Sequence, residues 1–393
     1  MDETRYIVAG SFIDGSSTVV NKNIFIAVKD GIITAIGPLA DLPDTSPAVI
    51  DDFSHCTLLP AFIDCSVSLS RSPSVDMRVR LADKEAGIAQ KAVLFEKHIS
   101  YCHAYGVMGV ADCDEITDLL KLSQKRIADE NIIEIQTPAL PDLTDEDRVD
   151  LETTSGDFLK LYYSSNIEDE VAPSPVLTQA NLHTLLSTKG SKKAIVVANG
   201  EQKVKEALDA GCDAIEQGYA MGEENLRKMA EKNVLWIPSV LRAKNGLDSS
   251  GSSGDVCCRF SQRYVAPGKP IPGAEAFWKK MLNEHLMQLR RAKQLGVKTA
   301  IGTGAGSVGI LHGESMAEEM KLFIKAGYSL EETIRCASET GARFFGFEKL
   351  GALTVGRKAT FLISRGSVKQ LPRKLSYLEG IYVDGVPSGK YRK

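Results

Sequence analysis

Polar side chains interrupt two short apolar runs of this chain at spacings that could support chemistry. The first run, FIDCSVS, carries Asp64, Ser66 and Ser68, and the second, FLKLYYS, carries Lys160. Alternation along a strand places Asp64, Ser66 and Ser68 on one face and Cys65 on the other. A buried lysine needs an anionic partner, because an unpaired buried charge is strongly destabilising. We expect Asp64 to be that partner of Lys160.

Lys160 has a second possible role. A lysine with a depressed pKa forms Schiff bases with carbonyl compounds, and Tyr162 lies two residues further along the same face. We favour a structural ion pair and a tyrosine that fills the interior, because ion-pair networks need no reactive amine. No histidine lies near Ser66 or Ser68 in the sequence and no G-x-S-x-G elbow occurs, so a serine nucleophile is not indicated.

The segment LHGES places His312 and Glu314 after the last strand-like run. Both residues are candidates for contact with a ligand. Ser315 and Glu318 match the spacing of a helix capping box equally well. The preceding GTGAGSVG is rich in glycine but lacks the lysine of a phosphate-binding loop.

Eight strand-like runs alternate with helix-like segments through the middle of the chain. This alternation predicts a parallel sheet with crossover helices. Eight units predict a (β/α)₈ TIM barrel, whose functional groups lie at the C-terminal ends of the strands. The runs are FIDCSVS, VMGVADC, IIEIQTP, FLKLYYS, AIVVANG, AIEQGY, LWIPSV and TAIGTGAG.

Both ends of the chain are rich in short β-like runs and turn signals. Asp14-Gly15 and Asp30-Gly31 lie between alternating apolar residues, which is typical of hairpins. We therefore predict a small β-sandwich domain built from residues 1–59 and 350–393, and a barrel over residues 60–349.

Bulk properties exclude several classes of protein. The 393 residues carry a net charge of −4 without a basic patch, so we expect no nucleic-acid partner. No signal peptide or membrane-length apolar run is apparent, so we expect no membrane association and a cytoplasmic location. The eight cysteines are dispersed and read as buried hydrophobes. The adjacent Cys257 and Cys258 are the exception, in a Gly/Ser/Pro-rich stretch over 243–276 that predicts a lid above the barrel mouth.

The whole chain resembles the amidohydrolase superfamily, in particular its imidazolonepropionase and prolidase-like branch. LLPAFID resembles that branch's lead-in to its first metal ligands, and DFLKLY resembles the strand that carries its bridging lysine. Further likeness lies in ALDAGCDAIEQGY, in IGTGAG, in LHGESMAEEMKLFIKAGYSLEETIRCASETGARFFGF and in LGALTVGRKATFLI.

The resemblance implies one or two divalent metals that generate hydroxide at neutral pH. Its ligands would be two histidines on strand one, a lysine on strand four that is sometimes carbamylated, a histidine on each of strands five and six, and an aspartate on strand eight. In this chain those positions hold Ser66, Ser68, Lys160, Val197, Gln217 and Gly304. Only the lysine is retained, so we expect neither a divalent metal nor another cofactor.

Our leading hypothesis is a catalytically inactive amidohydrolase-like protein that binds a small molecule or a partner at the barrel mouth. The candidate ligand-binding residues are Ser66, Ser68, Asn199, Gln217 and Glu314. The alternative is a divergent hydrolase of C–N bonds in cyclic amides or dipeptides, with a rebuilt site of Lys160, Asp64, His312 and Glu314. A third hypothesis is an inactive partner of an active paralogue, and the resemblance also implies a homo-oligomer.

Overall fold

The computed structural model describes residues 4–43, 49–130, 133–141, 155–164, 177–250 and 273–389. Its strands alternate with helices between two β-rich ends. The strands are β1 (Arg5–Ile13), β2 (Val20–Lys29), β3 (Ile32–Pro38), β4 (Val49–Pro60), β5 (Phe62–Val67), β6 (Val107–Asp112), β7 (Glu134–Gln136), β8 (Pro138–Ala139), β9 (Phe158–Tyr162), β10 (Ala194–Ala198), β11 (Ala214–Gln217), β12 (Leu235–Ile237), β13 (Phe361–Arg365), β14 (Leu378–Val383) and β15 (Val386–Pro387).

Helices follow most strands of the middle segment, as the periodicity predicts. They are α1 (Met77–Glu85), α2 (Ile88–Ala104), α3 (Thr117–Glu130), α4 (Gln179–Ser187), α5 (Glu201–Ala210), α6 (Gly222–Lys232), α7 (Val240–Ser250), α8 (Ala274–Leu295), α9 (Ser315–Lys325), α10 (Leu330–Cys336) and α11 (Glu339–Phe345). Within the described residues, no helix combines the length and the apolar character needed to cross a membrane.

Parallel strands of the middle segment form the barrel. Hydrogen bonds join β5, β6 and β7 in one sheet and β8 to β12 in another, and only Thr137 separates β7 from β8. The eighth predicted strand closes the ring through isolated bridges, Trp236 to Thr299 on one side and Val67 to Ala305 on the other. Three glycines among residues 302–306 interrupt regular strand structure there. The predicted TIM barrel is confirmed.

The two ends of the chain together form the predicted small β-sandwich domain. Among the described residues its seven strands run in the order β15-β14-β13-β4-β1-β2-β3, so the pairing of β13 with β4 joins strands from the two ends of the chain in one sheet. The sheet folds back on itself, because the Ile33 amide of β3 donates to the Arg357 carbonyl, 2.9 Å away, just before β13. Side chains from six strands, including Phe12, Ile26 and Phe361, share one buried core. The boundaries 1–59, 350–393 and 60–349 stay predictions.

The cysteines of the described residues are buried and form no disulfide with one another, as their apolar surroundings predict. They are Cys56, Cys65, Cys102, Cys113, Cys212 and Cys336. Cys65 faces helix α11, because a Cβ placed on Gly341 would lie 2.6 Å from its sulfur. The alternation inferred for Asp64 and Ser66 is therefore correct.

Helix α7 corrects part of the predicted lid. Residues 243–250 belong to this helix, whereas 251–272, with Cys257 and Cys258, lie outside the described residues. The Glu319 carboxylate accepts hydrogen bonds from the amides of Val240, at 2.8 Å, and Leu241, at 2.6 Å. Two of the amides that a helix start leaves unpaired are thereby satisfied. This tertiary contact outweighs the weak helix propensity of the local sequence.

The predicted capping box at α9 is wrong. Glu314 precedes the helix, and Ser315 is its first residue instead of its cap. The Ser315 hydroxyl instead accepts a hydrogen bond from the Leu311 amide at 2.9 Å. The motif occurs one helix later, where Ser329 and Glu332 form a complete capping box at α10.

Replacing Glu319 with alanine should lower the free energy of unfolding by about 3 kcal/mol, because two buried amides lose their acceptor. The neighbouring Glu318→Ala removes a partly exposed ion pair with Lys321 and should cost less than about 1 kcal/mol. Urea denaturation of the two variants checks this difference. Equal losses would contradict the assigned role of Glu319.

Candidate functional site

Four buried side chains meet inside the barrel near the C-terminal ends of its strands. We call them the central cluster: Ser66 on β5, Cys113 directly after β6, Lys160 on β9 and Glu216 on β11. The Lys160 ammonium donates to Glu216 Oε2 at 2.7 Å and to Cys113 Sγ at 2.8 Å. Lys160 and Glu216 are each only 2% exposed, so water does not screen their ion pair.

Ser66 completes the central cluster. Its hydroxyl donates to Glu216 Oε1 at 2.8 Å and lies 3.5 Å from Cys113 Sγ. Both carboxylate oxygens of Glu216 are therefore hydrogen-bonded by cluster members. Such a closed polar network is well suited to a buried position, because its charged groups are paired.

The predicted pairing of Lys160 with Asp64 is wrong. Asp64 accepts from the Thr303 amide at 2.8 Å, from the Thr303 hydroxyl at 2.5 Å and from the Ser66 amide at 3.2 Å. The strand register explains the difference: Lys160 is level with Ile195 of β10, which is level with Ala214 of β11. The next inward-facing residue of β11 is Glu216, within reach of the long lysine side chain.

Electrostatics keep Lys160 charged. Burial alone would lower its pKa, but Cys113 and Glu216 outweigh burial, and the pKa is raised well above its usual value. Burial also raises the pKa of Cys113, so this residue is a thiol at neutral pH. Carbamylation requires a neutral amine, and the ion pair with Glu216 disfavours the neutral form of Lys160.

Near the ligand positions that the resemblance implies on strands five and six, two side-chain amides are hydrogen-bonded to each other. Val197 is fully buried and has no polar side-chain atom. Asn199 donates from its amide nitrogen to Gln217 Oε1 at 2.8 Å, and its own oxygen accepts from the Tyr219 amide at 3.0 Å. Gln217 is fully buried and adopts a left-handed backbone with φ of 68°.

An arginine lies beside Gly304, the residue at the strand-eight ligand position that the resemblance implies. A Cβ on Gly304 would be 2.5 Å from Nε of Arg242, which belongs to the first turn of α7 and is 7% exposed. Gly304 also has φ of +71°, a conformation that favours glycine. The absence of a side chain at Gly304 thus leaves room for a guanidinium.

His312 lies near the mouth but is engaged elsewhere. Its Nε2 lies 3.0 Å from the Ser68 carbonyl, and its ring stacks on His98 with centroids 3.7 Å apart. Burial, together with His98, lowers the pKa of His312 to about 3, so the imidazole is neutral. Glu314, two residues on, is partly exposed before α9.

These donors do not fit a divalent-metal centre. Within the described ranges, no group of three or more His, Cys, Asp or Glu side chains is arranged to hold a metal ion. The retained lysine is an ammonium that would repel a cation, and its carboxylate neighbour Glu216 is already paired. Hydroxyls and amides supply the other polar positions, whereas zinc prefers imidazole, thiolate and carboxylate ligands.

The sequence interpretation missed Cys113, Glu216, Thr303 and Arg242. Glu216 carries a detectable signal, since it is the charged residue inside the short run AIEQGY. Its partner could not be identified, because the register between β9 and β11 is not encoded locally. Arg242 lies between the seventh strand-like run and the predicted lid, in a stretch to which the sequence interpretation gave no role.

Buried carboxyl groups near the barrel interior should make stability depend on pH. Burial raises the pKa of Asp64 from 3.8 to about 7, and that of Asp112 to about 8. Between pH 4 and 7 the unfolded Asp64 carboxyl loses its proton while the folded one keeps it. The unfolded state then binds fewer protons, so the free energy of unfolding falls as pH rises through this window.

Asp64→Asn should remove the part of this pH dependence of the free energy of unfolding that comes from Asp64. The stability of the variant relative to wild type should rise with pH by at most about 1.4 kcal/mol per unit between pH 4 and 7, then level off. Asp118→Asn, at an 82% exposed side chain, is the control and should leave the wild-type slope unchanged. Urea denaturation across this range measures both, and a parallel shift of Asp64→Asn at every pH would contradict the assignment.

Comparisons with known proteins agree with this architecture. The amidohydrolase family model matches residues 106–379. A Xaa-Pro dipeptidase structure with methionine bound in its active site has 19% identity and a TM-score of 0.77, and the match covers 98% of this chain and 99% of that chain. The comparison with curated proteins gives no match.

Two further solved structures are similar over their length. A. niger ochratoxinase has 16% identity and a TM-score of 0.76, with 98% of this chain and 95% of that chain covered. A molinate hydrolase has 15% identity and a TM-score of 0.75, with 99% and 95% covered. At these identities the likeness establishes the fold and not the substrate.

Proposed function

Because this chain belongs to the amidohydrolase family, we propose that it is a catalytically inactive member that binds a small molecule at the barrel mouth without a divalent metal. The observation that carries the proposal is the buried ion pair of Lys160 and Glu216. In place of a lysine available for carbamylation, the barrel holds an ammonium with its own counter-ion.

The strand-eight position supports the same proposal. Arg242 lies against Gly304, so a second permanent cation is close to where the family's aspartate would bind metal. A divalent ion would have to approach both Arg242 and Lys160, and two like charges oppose its binding. The local positive charge is therefore a second reason, besides the lack of suitable ligands, why a divalent metal should bind poorly.

The mouth still offers groups suited to ligand binding. Tyr162 is partly exposed on the lysine-bearing strand, and its hydroxyl donates to the Cys113 carbonyl at 3.3 Å. Functional sites of TIM barrels lie at this end of the strands. An aromatic ring beside a few fixed polar groups is typical of a small-molecule site.

A thermal-shift screen of amides, N-acyl amino acids and dipeptides tests the binding proposal. A ligand of the mouth should raise the unfolding midpoint of wild type by mass action, and Tyr162→Ala should reduce this shift. Tyr163→Phe is the control, because Tyr163 faces away and donates to Glu206 on α5. A ligand shift that is unchanged in Tyr162→Ala would contradict the placement of the site.

A second function, hydrolysis of C–N bonds without metal, is favoured by one observation. Cys113 Sγ lies 2.8 Å from the Lys160 ammonium, and Ser66 links this pair to Glu216. In such a reaction Cys113 would be the nucleophile, its proton would pass through the Ser66 hydroxyl to the Glu216 carboxylate, and the Lys160 ammonium would stabilise the thiolate. This rebuilt site differs from the predicted set of Lys160, Asp64, His312 and Glu314, since Asp64 and His312 contact other groups.

Turnover in the presence of a chelator distinguishes the two functions. The inactive protein should hydrolyse no dipeptide or cyclic amide, with or without added zinc or manganese. Chelator-resistant turnover that Cys113→Ala abolishes would overturn inactivity and establish the second function. Self-association, and assembly with a paralogue, stay proposals that co-purification can test.

A further inference from the structure

A large cavity opens at the end of the barrel opposite the central cluster. Its volume is about 790 Å³, within the range of small-molecule pockets. It is lined by residues that precede β10, β11 and β12 and by residues of α10 and α11. Ser16, from the turn after β1, forms one edge. This end of a TIM barrel usually serves stability, so an open cavity here requires its own explanation.

Cations dominate the wall of this basal cavity. Six basic residues and three acidic residues line it, and the acidic ones have salt-bridge partners among the described residues: Asp213 with Lys193, Glu332 with Lys293 and Glu339 with Arg343.

Three lining cations remain after these pairs are formed, namely Lys232, Lys298 and Arg335. None of the three has a salt bridge to a carboxylate in the described ranges. Lys232 donates to the Leu208 carbonyl at 2.9 Å and so helps to terminate a helix. Within these ranges, neither the Lys298 nor the Arg335 side chain donates a hydrogen bond that stabilises the fold. Both therefore add to the excess positive charge at the cavity.

Buried polar groups line the same cavity. The Thr299 hydroxyl lies 3.2 Å from the Tyr328 hydroxyl and 3.3 Å from Cys336 Sγ. Thr299, Tyr328 and Cys336 are each at least nine-tenths buried. Because the Tyr328 hydroxyl accepts from Thr299, its own proton can be donated to an acceptor in the cavity.

We propose that the basal cavity binds a phosphorylated small molecule. Arg335 and Lys298 form no salt bridge to a carboxylate within the described ranges, and a guanidinium and an ammonium are groups that bind phosphate. The Tyr328 hydroxyl supplies a neutral donor in the same cavity, which has room for an organic moiety. This site is independent of the mouth and of the proposed function there.

Calorimetric titration of the full chain with pyrophosphate tests the proposal. Wild type should bind in the millimolar range or tighter, and Lys298→Gln/Arg335→Gln should weaken binding about tenfold or more, since two charge-assisted contacts are lost. Lys280→Gln is the matched control, because its 73% exposed side chain lies on α8 about 20 Å along the helix from Lys293. The control should bind like wild type.

The expected loss of affinity for pyrophosphate must arise from the changed cavity and not from unfolding of the variant. Lys298 is exposed, so Lys298→Gln alone should keep the wild-type unfolding midpoint without ligand and still weaken binding. No heat of binding to wild type, or equal affinity in the double variant and Lys280→Gln, would overturn the proposal. Citrate that binds more tightly than pyrophosphate would overturn the assignment to phosphate.

Discussion

Lys160→Ala should lower the free energy of unfolding by about 3 to 5 kcal/mol, because Glu216 would remain buried without its counter-ion. Ser66 would still donate to Glu216, but a hydroxyl does not neutralise a carboxylate. Denaturation in urea at neutral pH measures the loss, and Lys205→Ala is the control. Lys205 forms a solvent-exposed pair with Asp209, so its removal should leave the free energy of unfolding close to that of wild type.

A double substitution shows whether Lys160 and Glu216 stabilise the barrel as an ion pair or only by filling space. Lys160→Met/Glu216→Leu keeps apolar volume and removes both charges, so it should recover most of the stability lost by either single truncation. Additive losses would contradict the account, since independent packing defects add and a broken ion pair does not.

The identity of this pair marks the limit of what the sequence could predict. Lys160, its strand and its need for an anion follow from local pattern and physical chemistry. The choice between Asp64 and Glu216 depends on how β9, β10 and β11 are aligned, which is fixed by packing of the whole barrel. The interior direction of Asp64 was correct, yet Thr303 satisfies it.

Gly304→Ala should lower the free energy of unfolding by roughly 2 to 4 kcal/mol. The alanine would have to keep the φ of +71° that Gly304 has, and its Cβ would lie 2.5 Å from the buried Arg242 side chain. Backbone strain and overpacking therefore both contribute. Gly346→Ala isolates the first contribution. Its φ is +78° with nothing within 4 Å of the added Cβ, and it should cost only about 1 to 2 kcal/mol.

Removing the guanidinium tests the cause of the difference. In the background of Arg242→Ala, Gly304→Ala should cost no more than Gly346→Ala, because the overlapping atoms are gone. Thermal or urea denaturation of the four variants completes the cycle. A Gly304→Ala loss that is unaffected by Arg242→Ala would show that Arg242 does not occupy this space.

The barrel and the β-sandwich were predictable because strand and helix periodicity are local properties. The eight runs and the hairpin turns are legible in the sequence, and Asp30 and Gly31 both adopt the positive φ that a tight turn requires. Helix α7 was not legible, since its start is stabilised by Glu319 from far along the chain. The contact of Gly304 with Arg242 is non-local in the same way.

Elemental analysis of the purified protein, prepared without chelator or added metal, tests the central claim most directly. The account predicts zinc, iron and manganese far below one equivalent per chain, and no retention of zinc after loading and dialysis, because Lys160 supplies positive charge inside the barrel and Arg242 supplies it beside Gly304. A stoichiometric divalent metal bound beside Lys160 would contradict the account.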